Sequence, residues 1–141
     1  MGRILAIDYG TKRTGIAVSD PLRLIAGGLE TVPTHTLVQW LAQYTATESV
    51  DIIVVGKPTR MDGTPSESFV HIEPLFRRLE KQFPAQQVVW WDERFTSVIA
   101  HRAMREGGLG KMARRDKALV DRVSASLILQ DFMDSRQYKE L

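Results

Sequence analysis

Three stretches of this 141-residue chain place a carboxylate where an ordinary surface acid is not expected. The apolar run Ile4-Leu5-Ala6-Ile7 ends in Asp8, and Val88-Val89-Trp90-Trp91 ends in Asp92-Glu93. Asp121 precedes Ser124, Ala125 and Ile128 at helical spacing, which puts it on the packed side of a helix. An unpartnered carboxylate in such places costs several kcal/mol, so each needs a cap, an ion pair or a cation. Carboxylates at two strand ends and on a facing helix can converge. Hard divalent cations such as Mg²⁺ or Mn²⁺ bind a few carboxylate oxygens, keep some waters and complete their shell on substrate phosphate. Two such ions roughly 4 Å apart stabilise the attacking and leaving oxygens of an in-line phosphoryl displacement. Plainer readings stand beside this one. Asp8 and Asp92-Glu93 can cap the turns that follow them, and Asp121 can pair with Arg94 or Arg122.

The elements that must position these acids are legible as alternating periods. Arg3–Asp8 and Arg13–Ser19 read as strands joined through Gly10-Thr11-Lys12, and Leu24–Val32 as a third, giving an antiparallel meander. Leu37, Trp40, Leu41 and Tyr44 then follow helical spacing. Asp51–Gly56 is an apolar fourth strand. Thr64-Pro65 resembles an N-cap and first helical position for a helix whose core face is Phe69, Ile72, Phe76, Leu79 and Phe83, with a kink at Pro74. Gln87–Trp91 is a fifth strand, Thr96 caps a helix ending at Gly107-Gly108, Gly108–Lys117 is a loop, and a last helix runs from about Ala118 to Arg136. The order β-β-β-α-β-α-β-α-α predicts one α/β domain over residues 1–141, with a mixed five-stranded sheet.

Composition narrows the function. Cysteine is absent, which excludes disulfides and thiolate metal sites. No run approaches the roughly 18 apolar residues of a membrane span, and no secretory pattern opens the chain; a cytoplasmic protein is expected. Net charge is +2, yet the stretch from Arg94 to Arg122 carries +5 and the remainder −3. Such asymmetry suits a polyanionic partner. His35, His71 and His101 lack ligand spacing. Trp40, Phe69, Phe76 and Phe83 fall at core spacing, so no aromatic platform for bases is evident.

At Asp8-Tyr9-Gly10-Thr11-Lys12-Arg13, followed by Gly15-Ile16-Ala17-Val18-Ser19-Asp20, the chain resembles the YqgF (RuvX) family of the RNase H-like superfamily. Three further blocks match in order: Val55-Gly56-Lys57-Pro58 with Met61-Asp62-Gly63, then Asp92-Glu93-Arg94-Phe95-Thr96-Ser97, then Asp121-Arg122-Val123-Ser124-Ala125 leading into Ile128-Leu129-Gln130. The resemblance implies an RNase H-like fold, with the first three strands antiparallel and helices flanking the sheet. It implies a nuclease that matures the 5′ end of the small-subunit (pre-16S) ribosomal RNA precursor in ribosome biogenesis. The alternatives are a Holliday-junction-type DNA resolvase and a non-catalytic nucleic-acid-binding factor in transcription or ribosome assembly.

Carried over by motif, Asp8, Glu93 and Asp121 form the acidic triad that holds one or two Mg²⁺ or Mn²⁺ ions, with Asp92 as a nearby support or the alternative ligand. Two departures stand out. Lys57 occupies a position where many members have Leu, and Val54-Val55-Gly56-Lys57 offers no acid on the fourth strand, so an acid must reach in from the fifth. Lys12, Arg13, Lys57, Arg94, Lys111, Arg114, Arg115 and Lys117 are the candidate contacts to a nucleic-acid backbone, where each neutralised phosphate releases counterions. Arg13 serves there or as an ion-pair partner; Arg94 binds phosphate or holds Asp8 or Asp121. Structured RNA is favoured over a DNA junction, the protein acting as monomer or homodimer. Asp8-x-Gly-Thr also resembles the phosphate loop of actin-like ATPases, but those need two such domains and this chain has the length of one.

Overall fold

The computed structural model describes residues 1–58, 67–93 and 117–141. Arg3–Asp8 (β1), Arg13–Ser19 (β2), Ala26–Pro33 (β3), Val50–Lys57 (β4) and Gln87–Asp92 (β5) form one sheet in the order β3-β2-β1-β4-β5. β1 pairs antiparallel with β2, and β2 with β3; β4 runs parallel to β1, and β5 to β4. The parallel pairs follow from chain length between strands. A tight turn can only reverse direction, whereas the helices Leu37–Thr47 (α1) and Phe69–Gln82 (α2) carry the chain back to restart alongside. This is the mixed α/β arrangement expected of an RNase H-like sheet.

β1 is buried on both faces, which is why its sequence is apolar without a break from Ile4 to Ile7 rather than alternating. Leu5 and Ile7 join Ile16, Ile53 and Val55 beneath α1 and α2, where Leu41, Ile72, Phe76 and Leu79 pack. Ile4 and Ala6 join Ala17, Ile52 and Val54 on the other face, covered by Ala125, Ile128, Leu129 and Phe132 of the helix Lys117–Met133 (α3). Alternate residues along each strand thus belong to different cores.

Several boundaries differ from the sequence expectation for local reasons. β3 starts at Ala26 because Asp20 takes Leu24 and Ile25 into a turn, its Oδ1 accepting both amides at 2.7 and 2.8 Å. Leu24 and Ile25 are left exposed. Within the same turn Arg23 adopts a left-handed φ of 58°, and its guanidinium donates to Gly2 O at 2.9 Å and Asp51 Oδ2 at 2.8 Å. α2 includes Pro74 and ends at Gln82, so Phe83 is a core residue just beyond the helix. α3 begins at Lys117, which sequence placed in a loop, and stops at Met133. Ser135 then caps the short helix Arg136–Lys139 (α4), its hydroxyl accepting from Tyr138 N at 3.2 Å. The Thr64-Pro65 cap, the helix after Thr96 and the basic loop through Asp116 lie outside the described residues. Among the described residues no helix is long and apolar enough to cross a membrane.

Candidate active site

Asp8 is the last residue of β1 and shares the parity of Ile4 and Ala6, so it belongs to the α3 face; it is only 7% exposed. Its partner across β2 is Gly15. A Cβ at Gly15 would overlap the backbone oxygen of Asp121, so the first turns of α3 rest directly on β2 beside Asp8. The hairpin joining Asp8 to Arg13 is closed by Gly10, where a Cβ would overlap Arg13 O. It is also braced by Thr34: the Thr34 amide donates to Lys12 O at 2.9 Å, its hydroxyl donates to Gly10 O at 2.5 Å, and the Thr14 and Thr34 hydroxyls lie 2.9 Å apart. That hairpin delivers Arg13, whose Nε donates to Asp121 Oδ2 at 2.9 Å; the Asp121 side chain is 13% exposed and that of Arg13 41%. Sequence offered Arg94 or Arg122 as the partner of Asp121. Arg13 is 108 residues away along the chain, so no local spacing signal could have named it, and Arg94 lies outside the described residues.

Glu93 follows the end of β5 and is 2% exposed. Its carboxylate lies against β4 at Gly56: a Cβ there would overlap Glu93 Oε1 and stand 2.8 Å from Ile128 Cδ1. Gly56 follows Val54 in parity and so faces α3. The carboxylate from β5 thus fills the space that a side chain from β4 would occupy, on the face that Asp8 and Asp121 share. Asp92 pairs with Lys57 and has the parity of Trp90, which packs under α2. Lys57 Nζ lies 5.2 Å from the centre of the Phe69 ring, at the start of α2. Strand alternation therefore separates the two adjacent acids, giving Glu93 the α3 face and Asp92 the opposite one with Lys57. Sequence offered Asp92 as a nearby support or alternative ligand and Lys57 as a candidate phosphate contact, without giving the face of either.

Gly56, Thr34 and Ser124 are the site neighbours whose roles sequence did not reveal. Ser124 entered only as a neighbour of Asp121 at helical spacing and as part of a motif block. It is fully buried, and its hydroxyl has no hydrogen-bond partner among the described residues. Of the candidate nucleic-acid contacts, Lys12 is exposed at the hairpin and Arg13 is partly exposed. Arg94, Lys111, Arg114 and Arg115 lie outside the described residues, and Lys117 is the first residue of α3.

The donor set on the α3 face is all carboxylate, the hard oxygen chemistry that Mg²⁺ and Mn²⁺ take. An orphaned hydroxyl beside it and a glycine that makes room for one of its members suit a site that admits an oxygen-bearing guest. Among the described residues no three acids or histidines already stand close enough to hold one ion, and Asp121 is engaged by Arg13. The residues fit such an ion in kind.

The model of the RuvX family, described as Holliday junction resolvase, matches residues 2–135. The chain belongs to the RuvX family. Full-length relatives agree. A protein of Bacteroides thetaiotaomicron named "Putative pre-16S rRNA nuclease" is 54% identical over 138 residues, spanning 98% of this chain and 100% of that one. One of the same name from Porphyromonas gingivalis is 56% identical over 135 residues, spanning 96% and 98%. Among solved structures, the fowlpox virus Holliday junction resolvase superposes with a TM-score of 0.48 at 12% identity, over 91% of this chain and 94% of that one. YeaZ from Pseudomonas aeruginosa gives 0.41 at 21% identity, over 77% and 50%. At these scores the fold assignment rests on the strand order of the RuvX chain itself.

Proposed function

We propose that this RuvX-family chain is a metal-dependent nuclease that hydrolyses phosphodiester bonds in the 5′-end maturation of pre-16S ribosomal RNA, in the cytoplasm. The single observation that carries the reading is the gathering of Asp8, Glu93 and Asp121 onto one face of the sheet, from chain positions more than a hundred residues apart. The names of the full-length relatives support the substrate.

Asp8, Glu93 and Asp121 would hold one or two Mg²⁺ or Mn²⁺ ions. Bound there, such an ion supplies a water of lowered pKa and charge stabilisation at the phosphorus oxygens. The protein's own part is positional. Asp8 and Glu93 are withdrawn from solvent, so their oxygens are fixed by packing rather than by bulk water. Gly56 leaves the room that sets Glu93, and Thr34 with Gly10 fixes the hairpin that carries Lys12 and Arg13. Arg13 neutralises Asp121, and Lys12 offers an exposed cation to the backbone phosphates at the same edge. Asp92 and Lys57, on the far face, take no part in this reading.

The test is an Mg²⁺ and Mn²⁺ titration of cleavage on a labelled ribosomal RNA precursor spanning the mature 5′ end. A DNA four-way junction and the Asp8→Asn variant run beside it. Metal-dependent RNA cleavage lost in the variant is the expected result. Cleavage of the junction alone would favour the resolvase activity in the family's description. Salt-sensitive binding without product, at any metal concentration, would make the chain a binding factor.

A further inference from the structure

Ser124 presents a discrepancy that packing does not resolve. Its side chain is fully buried, and its hydroxyl has no hydrogen-bond partner among the described residues. A buried hydroxyl left unpaired costs roughly 1–3 kcal/mol, and alanine would fill nearly the same volume without that penalty. The neighbouring position on the same helix is in fact alanine, Ala125, likewise fully buried.

The position of Ser124 explains what the hydroxyl is for. The backbone of Asp121 rests on Gly15 in β2, and Ile128 reaches Gly56 in β4. β1 lies between those two strands, so the turn of α3 carrying Ser124 crosses the end of β1, where Asp8 projects toward the helix. One step to the β2 side is Asp121; one step to the β4 side is the carboxylate of Glu93. Ser124 is thus a buried donor on the helix that covers the sheet face shared by Asp8, Glu93 and Asp121.

We propose that Ser124 is a positioning residue of this site, its hydroxyl donating to a water in the shell of a divalent cation held by Asp8, Glu93 and Asp121. The proposal rests on the metal-dependent reading above. A bound ion with its waters would give the hydroxyl a partner, so this hydrogen bond becomes part of the affinity for the ion.

Stability and binding separate this role from a packing accident. Mn²⁺ binding is followed by electron paramagnetic resonance, and melting with and without chelator, for the full chain and for Ser124→Ala and Asp8→Asn. In chelator Ser124→Ala is expected to melt about 2–5 °C above the parent, because the orphan donor is gone. It is also expected to bind Mn²⁺ on the order of tenfold more weakly, the loss of one net hydrogen bond. Mn²⁺ affinity within about twofold of the parent, with Asp8→Asn impaired, overturns the role of Ser124 and leaves the metal site standing. Absence of Mn²⁺ binding by the parent removes the metal reading and this proposal together.

Discussion

The carboxylate of Glu93 stands in the place that a side chain at Gly56 would take, so that one strand carries the acid and its neighbour carries the vacancy. The end of the fourth strand, Val54 to Lys57, has no acid of its own, yet a carboxylate lies against its surface. The glycine is what allows this, and the pair should behave as a unit.

Gly56→Ala forces the overlap of a methyl with Glu93 Oε1. Overpacking of this kind costs about 1–3 kcal/mol, read as a lower midpoint in urea unfolding, and nuclease activity should fall at least tenfold. In a Glu93→Ala background most of the stability penalty should vanish, because the overlapping group is gone; the remaining contact is the flexible tip of Ile128. Additive effects in that double-mutant cycle would show that Glu93 does not lie over Gly56.

The two adjacent acids should differ sharply in kinetics. Glu93→Gln is expected to lower the cleavage rate by on the order of 100-fold, and Asp92→Asn by less than about threefold, since only Glu93 lies on the face of Asp8 and Asp121. Single-turnover cleavage of the RNA precursor at saturating Mg²⁺ measures both. Equal losses would contradict the separation by strand alternation.

Arg13→Gln removes the guanidinium from Asp121, a pair at 2.9 Å with the arginine partly in solvent. Screening limits the loss to about 1 kcal/mol, a few degrees in Tm. The Tm difference between parent and variant should shrink as ionic strength is raised.

The turn at Asp20 makes a prediction about pH. The amide of Ile25 has the largest effect on this carboxylate; desolvation opposes it, and the amide of Leu24 adds to the lowering, so the pKa is held below the usual 3.8. The charged form is thus favoured by folding. This contribution is fully present above the ordinary carboxylate pKa and is lost as pH falls through the lowered folded value. A carboxyl-carbon NMR titration of Asp20 should show a midpoint below 3.8, and Asp20→Ala should remove that acid-side dependence.

How much of this could be read in advance depends on whether the signal is local. The strands were legible because Ile4 to Ile7 and Ile52 to Val55 are apolar without interruption, as strands covered on both faces must be. The acids were legible because each terminates or interrupts such a run. The face taken by Asp92 and Lys57, the one that α2 covers, was not legible. Motif adjacency says nothing of which side of a sheet a residue takes, and a one-residue step reverses it. The partner of Asp121 was hidden for a different reason, since Arg13 meets it only after α3 has crossed β2. Gly56 and Ser124 were visible only as members of motif blocks; what their small size admits depends on neighbours that sequence does not supply.

Asp121, near the end of the chain, closes a site whose first acid is Asp8, near its beginning. During synthesis the meander β1-β2-β3 is complete long before α3 is made, because domains assemble from the N-terminal side as the chain emerges. Until α3 docks, Asp8 has neither Asp121 nor Ser124 beside it, and the sheet face beneath that helix is uncovered. The order of residues therefore sets an order in time: the acidic face of the sheet stays open until α3 has been made and has docked across it.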